Sequence, residues 1–161
     1  VKFTGRISKA VAVTVAASSL IVGTAGAAFA DGNVTWKDQA TNRCLGWSYN
    51  VVNGGYNGPV TWSSCSGTLI QWHDTYYSAN GNWYERVVDN GTVTNVCLTA
   101  SSNQTVYLEG CKWNSSERWH ESNTGSGWHL INEATGLYLD SNKSGSVYAL
   151  PGNGGQNQLW S

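Results

Sequence analysis

The strongest constraint in this chain is a unit that recurs. The stretch Cys97–Trp119 reads CLTASSNQTVYLEGCKWNSSERW: a Cys-Leu pair, a polar turn, a short apolar strand ending at a second Cys, another polar turn and a closing Trp. The same order runs from Cys44-Leu45 through Val60 and Cys65 to Trp72, and from Tyr138-Leu139 through Val147 and Gly152 to Trp160. The Val and the second Cys position are five residues apart in every copy, and the closing tryptophans follow one another at 47 and 41 residues. A period near forty residues marks three supersecondary units. None can cover its own apolar face, but three can cover each other around a common axis.

Each unit opens with a strand-length run rich in aromatic and branched residues, so that Trp36, Trp83 and Trp128 open the copies and Trp72, Trp119 and Trp160 close them. Polar turns separate the runs, and Asn90-Gly91 is the clearest hairpin signal among them. No window after residue 30 repeats its apolar residues at the helical period. The expectation is an all-β domain of about four short strands per copy and about twelve in all. Open sheet edges invite aggregation, so a closed barrel with hairpins beneath it is the expected arrangement.

The first thirty residues stand outside this pattern. They carry Lys2, Arg6 and Lys9 with no acid, then an Ala-rich apolar run, and close on Ala28-Phe29-Ala30 before Asp31. This reads as a secretory signal peptide, with the mature domain at 31–161 and repeats at about 31–78, 79–124 and 125–161. The competing reading, a membrane anchor, is disfavoured because the run is short and diluted with Ser, Thr and Gly. Residues 31–161 hold six basic against ten acidic residues, a formal charge of −4. Nothing builds a basic face for nucleic acid, and no apolar run after residue 30 is long enough to span a bilayer.

Cys44, Cys65, Cys97 and Cys111 make an even count in an exported chain, which predicts two disulfides. The repeat selects Cys44–Cys65 and Cys97–Cys111, one bond inside each of the first two copies, over a cysteine metal site. The third copy has Tyr138 and Gly152 instead, a ring against a glycine that would fill the volume of a disulfide. The first copy carries an insertion, VVNGGYNG from Val51 to Gly58, which reads as irregular surface backbone.

The units NRCLGW with VTWSSCSGTLIQW, NVCLTA with VYLEGCKWNSSERW, and GLYLDS with VYALPGNGGQNQLW resemble the ricin-type lectin β-trefoil over residues 34–161. That resemblance implies a pseudo-threefold barrel of two-stranded hairpins and up to three shallow sugar pockets, usually without catalysis. The family pocket uses an Asp after the Cys-Leu pair, an aromatic two residues before the second Cys, an Asn after it, and a closing Gln-x-Trp. Here those three pocket positions are Gly46, Ser63 and Ser66 in the first copy, Thr99, Glu109 and Lys112 in the second, and Asp140, Leu150 and Asn153 in the third. Only the third keeps the acid and the amide, and it also keeps Gln158-Leu159-Trp160.

A sugar site needs a carboxylate and amides for hydroxyl groups and an apolar surface for the ring face. Asp140, Asn153, Tyr148 and Gln156 are the candidates in the third copy, while Asp140-Ser141-Asn142 also reads as an Asx turn. Trp47, Trp62, Trp113 and Tyr76-Tyr77 fall outside the threefold pattern and are the candidate surface aromatics. Trp47 and Trp62, with Tyr56 of the insertion, form a second candidate surface. For catalysis, Glu85, Glu109, Glu117 and Glu121 would have to meet in space, and no spacing argues that they do. No metal site and no cofactor are expected. The reading is a secreted carbohydrate-binding module, not an enzyme, with an inhibitor-like protein binder on the same scaffold as the alternative.

Overall fold

The computed structural model describes residues 31–50 and 55–161. The leader expected at 1–30 and the tip of the insertion at 51–54 lie outside these residues. Eleven strands follow in order: β1 (Gly32–Val34), β2 (Cys44–Asn50), β3 (Gly55–Trp62), β4 (Trp72–Tyr77), β5 (Asn82–Asp89), β6 (Thr92–Ala100), β7 (Val106–Gly110), β8 (Arg118–Asn123), β9 (Trp128–Asn132), β10 (Tyr138–Ser141) and β11 (Val147–Leu150). The place of a twelfth is taken by Leu159–Ser161, which bonds to Trp128 on one side and to Lys37 and Gln39 on the other. That last pairing closes the sheet β1-β4-β5-β8-β9 into a barrel. The hairpins β2–β3, β6–β7 and β10–β11 extend from it, one per repeat. They meet one another through Thr61 N–H to Gly145 O (2.9 Å) and Ala149 N–H to Gln104 O (3.0 Å). A barrel with three hairpins related by a pseudo-threefold axis is the β-trefoil.

The closing tryptophans bind this arrangement together. Trp72, Trp119 and Trp160 are fully buried, as are Leu45, Leu98 and Leu139. Each indole Nε1–H donates to the carbonyl of the leucine in its own repeat, at 3.0, 2.9 and 3.1 Å respectively. The large ring packs the core and its one polar atom is satisfied without water, which a buried donor requires. The disulfides are Cys44–Cys65 and Cys97–Cys111. In the third repeat a Cβ added at Gly152 would lie 2.8 Å from the Tyr138 ring, so the ring does fill the disulfide's place. Asn90 and Gly91 both have positive φ, 47° and 77°, giving the two-residue turn that Asn-Gly favours.

Two expectations are corrected. Register pairs Val34 with Trp72, Trp83 with Trp119 and Trp128 with Trp160. Val34, not Trp36, therefore opens the first copy in step with Trp83 and Trp128. Trp36 lies two residues on, level with Glu85 and Leu130. Residues 55–58 of the insertion are ordered strand rather than irregular backbone. They lengthen β3 and pair with β2 across a bulge at Ser48/Tyr49, where Gly58 takes φ 140°.

That register puts Glu85 at a core position filled in the other copies by Trp36 and Leu130, and Glu85 has no exposed surface. Asp74 and Glu121 each sit two residues past a closing Trp and approach it. Burial pushes Asp74 up to about 6 and Glu121 up to about 8; burial and the charges of Asp74 and Glu121 hold Glu85 well above the ordinary carboxylate range. The folded state thus keeps protons that the unfolded chain has released above about pH 4–5, and it gives them up as the pH climbs toward 8. Stability from this cluster is fully present in acid and lost with rising pH. In chelator-treated protein the urea midpoint should fall between pH 5 and pH 8, and Glu85→Gln should flatten that fall. A midpoint that rises over the same range contradicts the assignment.

Candidate functional site

In the third repeat Gln158 of the closing Gln-x-Trp holds the Asn153 loop by its backbone, while the Asn153 and Gln156 side chains are exposed. Asp140 on β10 faces Tyr148 on β11 in register, and it is 3% exposed. Burial raises its carboxyl, opposed by hydrogen bonds from Gln158 and Tyr148. The buried Gln158 accepts from Asn153 N–H (3.0 Å) and donates to Pro151 O (3.1 Å), so it braces the loop that carries Asn153. The Asn153 side chain is exposed and accepts from Gly155 N–H at 2.7 Å. Gln156, also exposed, begins the 3₁₀ turn Gln156–Gln158. The Asx turn forms at Asn142, whose Oδ1 accepts from Ser144 and Ser146, and not at Asp140.

The second repeat shows the same brace with a different residue. Glu117, buried at the position of Gln158, accepts from Lys112 N–H at 2.8 and 3.0 Å. Lys112 and Glu109, at two of the pocket positions, form an ion pair with each other, and Thr99 is buried. Ile70 holds the brace position in the first repeat and is buried without a polar contact of this kind. The closing Gln or Glu is a loop support in this protein.

Four concavities of about 220–330 Å³ all involve the first repeat. One of about 310 Å³ is lined by Trp62, Ser64, Ser66, Gly67, Thr68, Leu69 and Ile70. It contains Ser66, one of the family pocket positions, and borders Gly46. An added Cβ at Gly46 would lie 2.3 Å from Leu69 O and 2.6 Å from the Trp62 ring. The indole of Trp62 therefore covers the place where the family acid would rise, and its Nε1–H donates to Trp47 O at 3.3 Å. Trp62 remains 37% exposed. A second concavity of about 330 Å³ shares Thr68 and Leu69 with the first and adds Trp47, Tyr49, Asp89 and Asn90.

The second candidate surface needs one correction. Trp47 is 2% exposed and so is not a surface aromatic. It forms the floor of this groove, held edge-on by Tyr56 at 5.1 Å, and its buried Nε1–H has no hydrogen-bond partner among the described residues. Tyr56 in turn donates to Asp89 at 3.4 Å, and burial with the Asp89 charge raises its hydroxyl. Tyr49, 48% exposed, is the residue that sequence reading missed. It lies near the end of β2, opposite Tyr56, with its ring 6.4 Å from that of Tyr56. Of the carboxylates weighed for catalysis, Glu85 and Glu121 do meet, joined by Asp74, while Glu109 and Glu117 are apart from them and engage Lys112. His73 and His120 contact Asn33 and Asn82.

No family model and no curated protein matches the chain. Among solved structures it is similar to ThreeFoil, a designed threefold-symmetric protein, with a TM-score of 0.65 and 18% identity over 81% of this chain and 96% of that one. It is also similar to SeviL bound to the asialo-GM1 saccharide, at 0.63 and 13% over 81% and 95%. A third is the Polyporus squamosus lectin bound to a human-type influenza-binding epitope, at 0.64 and 14% over 81% and 48%. These likenesses establish the β-trefoil fold.

Gly46→Asp tests the geometry of the groove. An acid there should destabilise the protein by about 1–3 kcal/mol, because it overpacks against a backbone carbonyl. Urea denaturation measures this, and a variant as stable as the parent would show that Trp62 does not occupy that space.

Proposed function

We propose that this protein is an exported carbohydrate-binding module that takes its ligand in the first-repeat groove around Trp62. The observation that carries the proposal is a half-exposed indole set beside three hydroxyl side chains, Ser64, Ser66 and Thr68, in a shallow concavity. Sugars offer an apolar ring face and a fringe of hydroxyl groups, and such a surface meets both. Two of the similar structures hold saccharides, which supports the ligand class. Export rests on the leader-like residues 1–30. The family-type site of the third repeat ranks second, because Asp140 is buried and the Tyr148 hydroxyl donates to Ser141 O. A protein partner is favoured by one observation, the run of exposed apolar groups formed by Tyr49, Trp62 and Leu69.

A glycan array read with the parent, Trp62→Ala and Asp140→Ala separates these. Loss of the stacking ring should weaken binding about tenfold, since such contacts contribute roughly 1.5 kcal/mol, with the unfolding midpoint little changed. Asp140→Ala should keep its glycan binding. Binding lost only in a folded Asp140→Ala variant would move the site to the third repeat. A parent that binds no glycan would overturn the carbohydrate reading.

A further inference from the structure

The barrel interior holds a group of side chains that sugar binding does not use. Asp74 on β4, Glu85 on β5 and Glu121 on β8 bring one carboxylate oxygen each to within 4.8 Å of one another. Asp74 and Glu85 are more than nine-tenths buried. On each of the three residues, one buried oxygen has no hydrogen-bond partner among the described residues: Asp74 Oδ1, Glu85 Oε1 and Glu121 Oε1. Trp36 Nε1–H donates to Glu85 Oε2 at 3.1 Å, and Glu85 comes within hydrogen-bonding reach of Asp74 and Glu121, contacts between acids that require a shared proton or a cation.

Electrostatics makes the arrangement hard to explain as packing. Below neutral pH these acids can stay neutral and share protons, but once ionised they are stable only when paired, hydrogen-bonded or bound to a metal. The described ion pairs and hydrogen bonds bring no Lys, Arg or His to these three; Arg86, the cation adjacent to Glu85 in sequence, turns away to Thr94 O and Thr75. Another acid, Asp31, adds its negative charge to the field at Asp74. The equivalent core positions of the other repeats are apolar, Trp36 and Leu130, so the fold itself does not ask for an acid there.

We propose that Asp74, Glu85 and Glu121 form a cation site that takes a hard divalent ion, Ca²⁺ in particular. The donor set is all oxygen, which suits Ca²⁺, Mg²⁺ or Mn²⁺ over softer metals. Ca²⁺ accepts irregular sets of protein oxygens at 2.3–2.6 Å, whereas Mg²⁺ at 2.0–2.1 Å demands octahedral geometry and prefers to keep its waters, so a buried protein donor set suits Ca²⁺ better. The ion would join β4 of the first repeat to β5 and β8 of the second. It would thereby tie two repeats together at a level where apolar packing is interrupted. This role is separate from the first-repeat groove and stands whether or not that groove binds sugar.

The test uses the whole protein after EDTA treatment and dialysis, at pH 7.5. Thermal unfolding is followed with CaCl₂, MgCl₂, MnCl₂, or NaCl of matched ionic strength, and Tb³⁺ luminescence sensitised by nearby tryptophan reports direct occupancy. CaCl₂ at saturating millimolar concentration should raise the midpoint by roughly 5 °C or more over NaCl, by mass action on the folded state. Tb³⁺ should luminesce and be displaced by Ca²⁺. Glu85→Gln should fold, with a midpoint in EDTA at least equal to the parent's, and should lose both responses. No midpoint shift with any divalent ion and no Tb³⁺ signal would overturn the site, leaving three carboxyls that share protons. Undiminished responses in Glu85→Gln would also overturn it.

Discussion

The structure depends on three indole-to-carbonyl hydrogen bonds. Trp72, Trp119 and Trp160 each reach back 21 to 27 residues to the leucine that begins their own hairpin. A tryptophan in a core brings the largest apolar surface available and one donor that must be satisfied. Here the donor fixes where the ring lies, so each hairpin is clamped to the barrel strand that ends its repeat. The rest of each unit can then vary. A disulfide, or Tyr138 against Gly152, closes the hairpin base, and Ile70, Glu117 or Gln158 fills the brace position.

The threefold pattern is broken in the first hairpin. Trp47 occupies the place held by Ala100 and Ser141 in the other hairpins, and the first hairpin is longer than its counterparts. The larger residue and the longer strands raise Tyr49 and Tyr56 beside it and open a groove toward Asp89. Gly46 is required beneath Trp62 for steric reasons, so the absence of an acid at that position and the presence of the Trp62 surface go together. The acid group inside the barrel is a second break, at Glu85.

The fold was legible because it is written three times. Spacing of Cys, Val and Trp announced the repeat, the disulfides and the Tyr138–Gly152 substitute, and Asn90-Gly91 announced its turn. What escaped was what depends on register. Whether Trp36 or Val34 opens the first copy is decided by pairing with Trp72, and two residues of slip cannot be read from a run that contains both. Trp47 and Tyr49 share one face of β2 and both meet Tyr56, and only the three-dimensional packing shows that the first is buried and the second exposed. Asp74 and Glu85 meet by the register of β4 and β5, and Glu121 joins them from β8, neither of which a residue pattern shows. Asp140 was visible by motif, but its burial behind Gln158 was not.

Hydrogen exchange of the tryptophan indole N–H groups, resolved by NMR, tests the clamp directly. If the three bonds hold the repeats together, the indole protons of Trp72, Trp119 and Trp160 exchange only through global unfolding, at closely similar rates and far more slowly than that of exposed Trp113. A closing tryptophan whose indole exchanged as fast as that of Trp113, in otherwise folded protein, would show that its repeat is not clamped and would contradict the account.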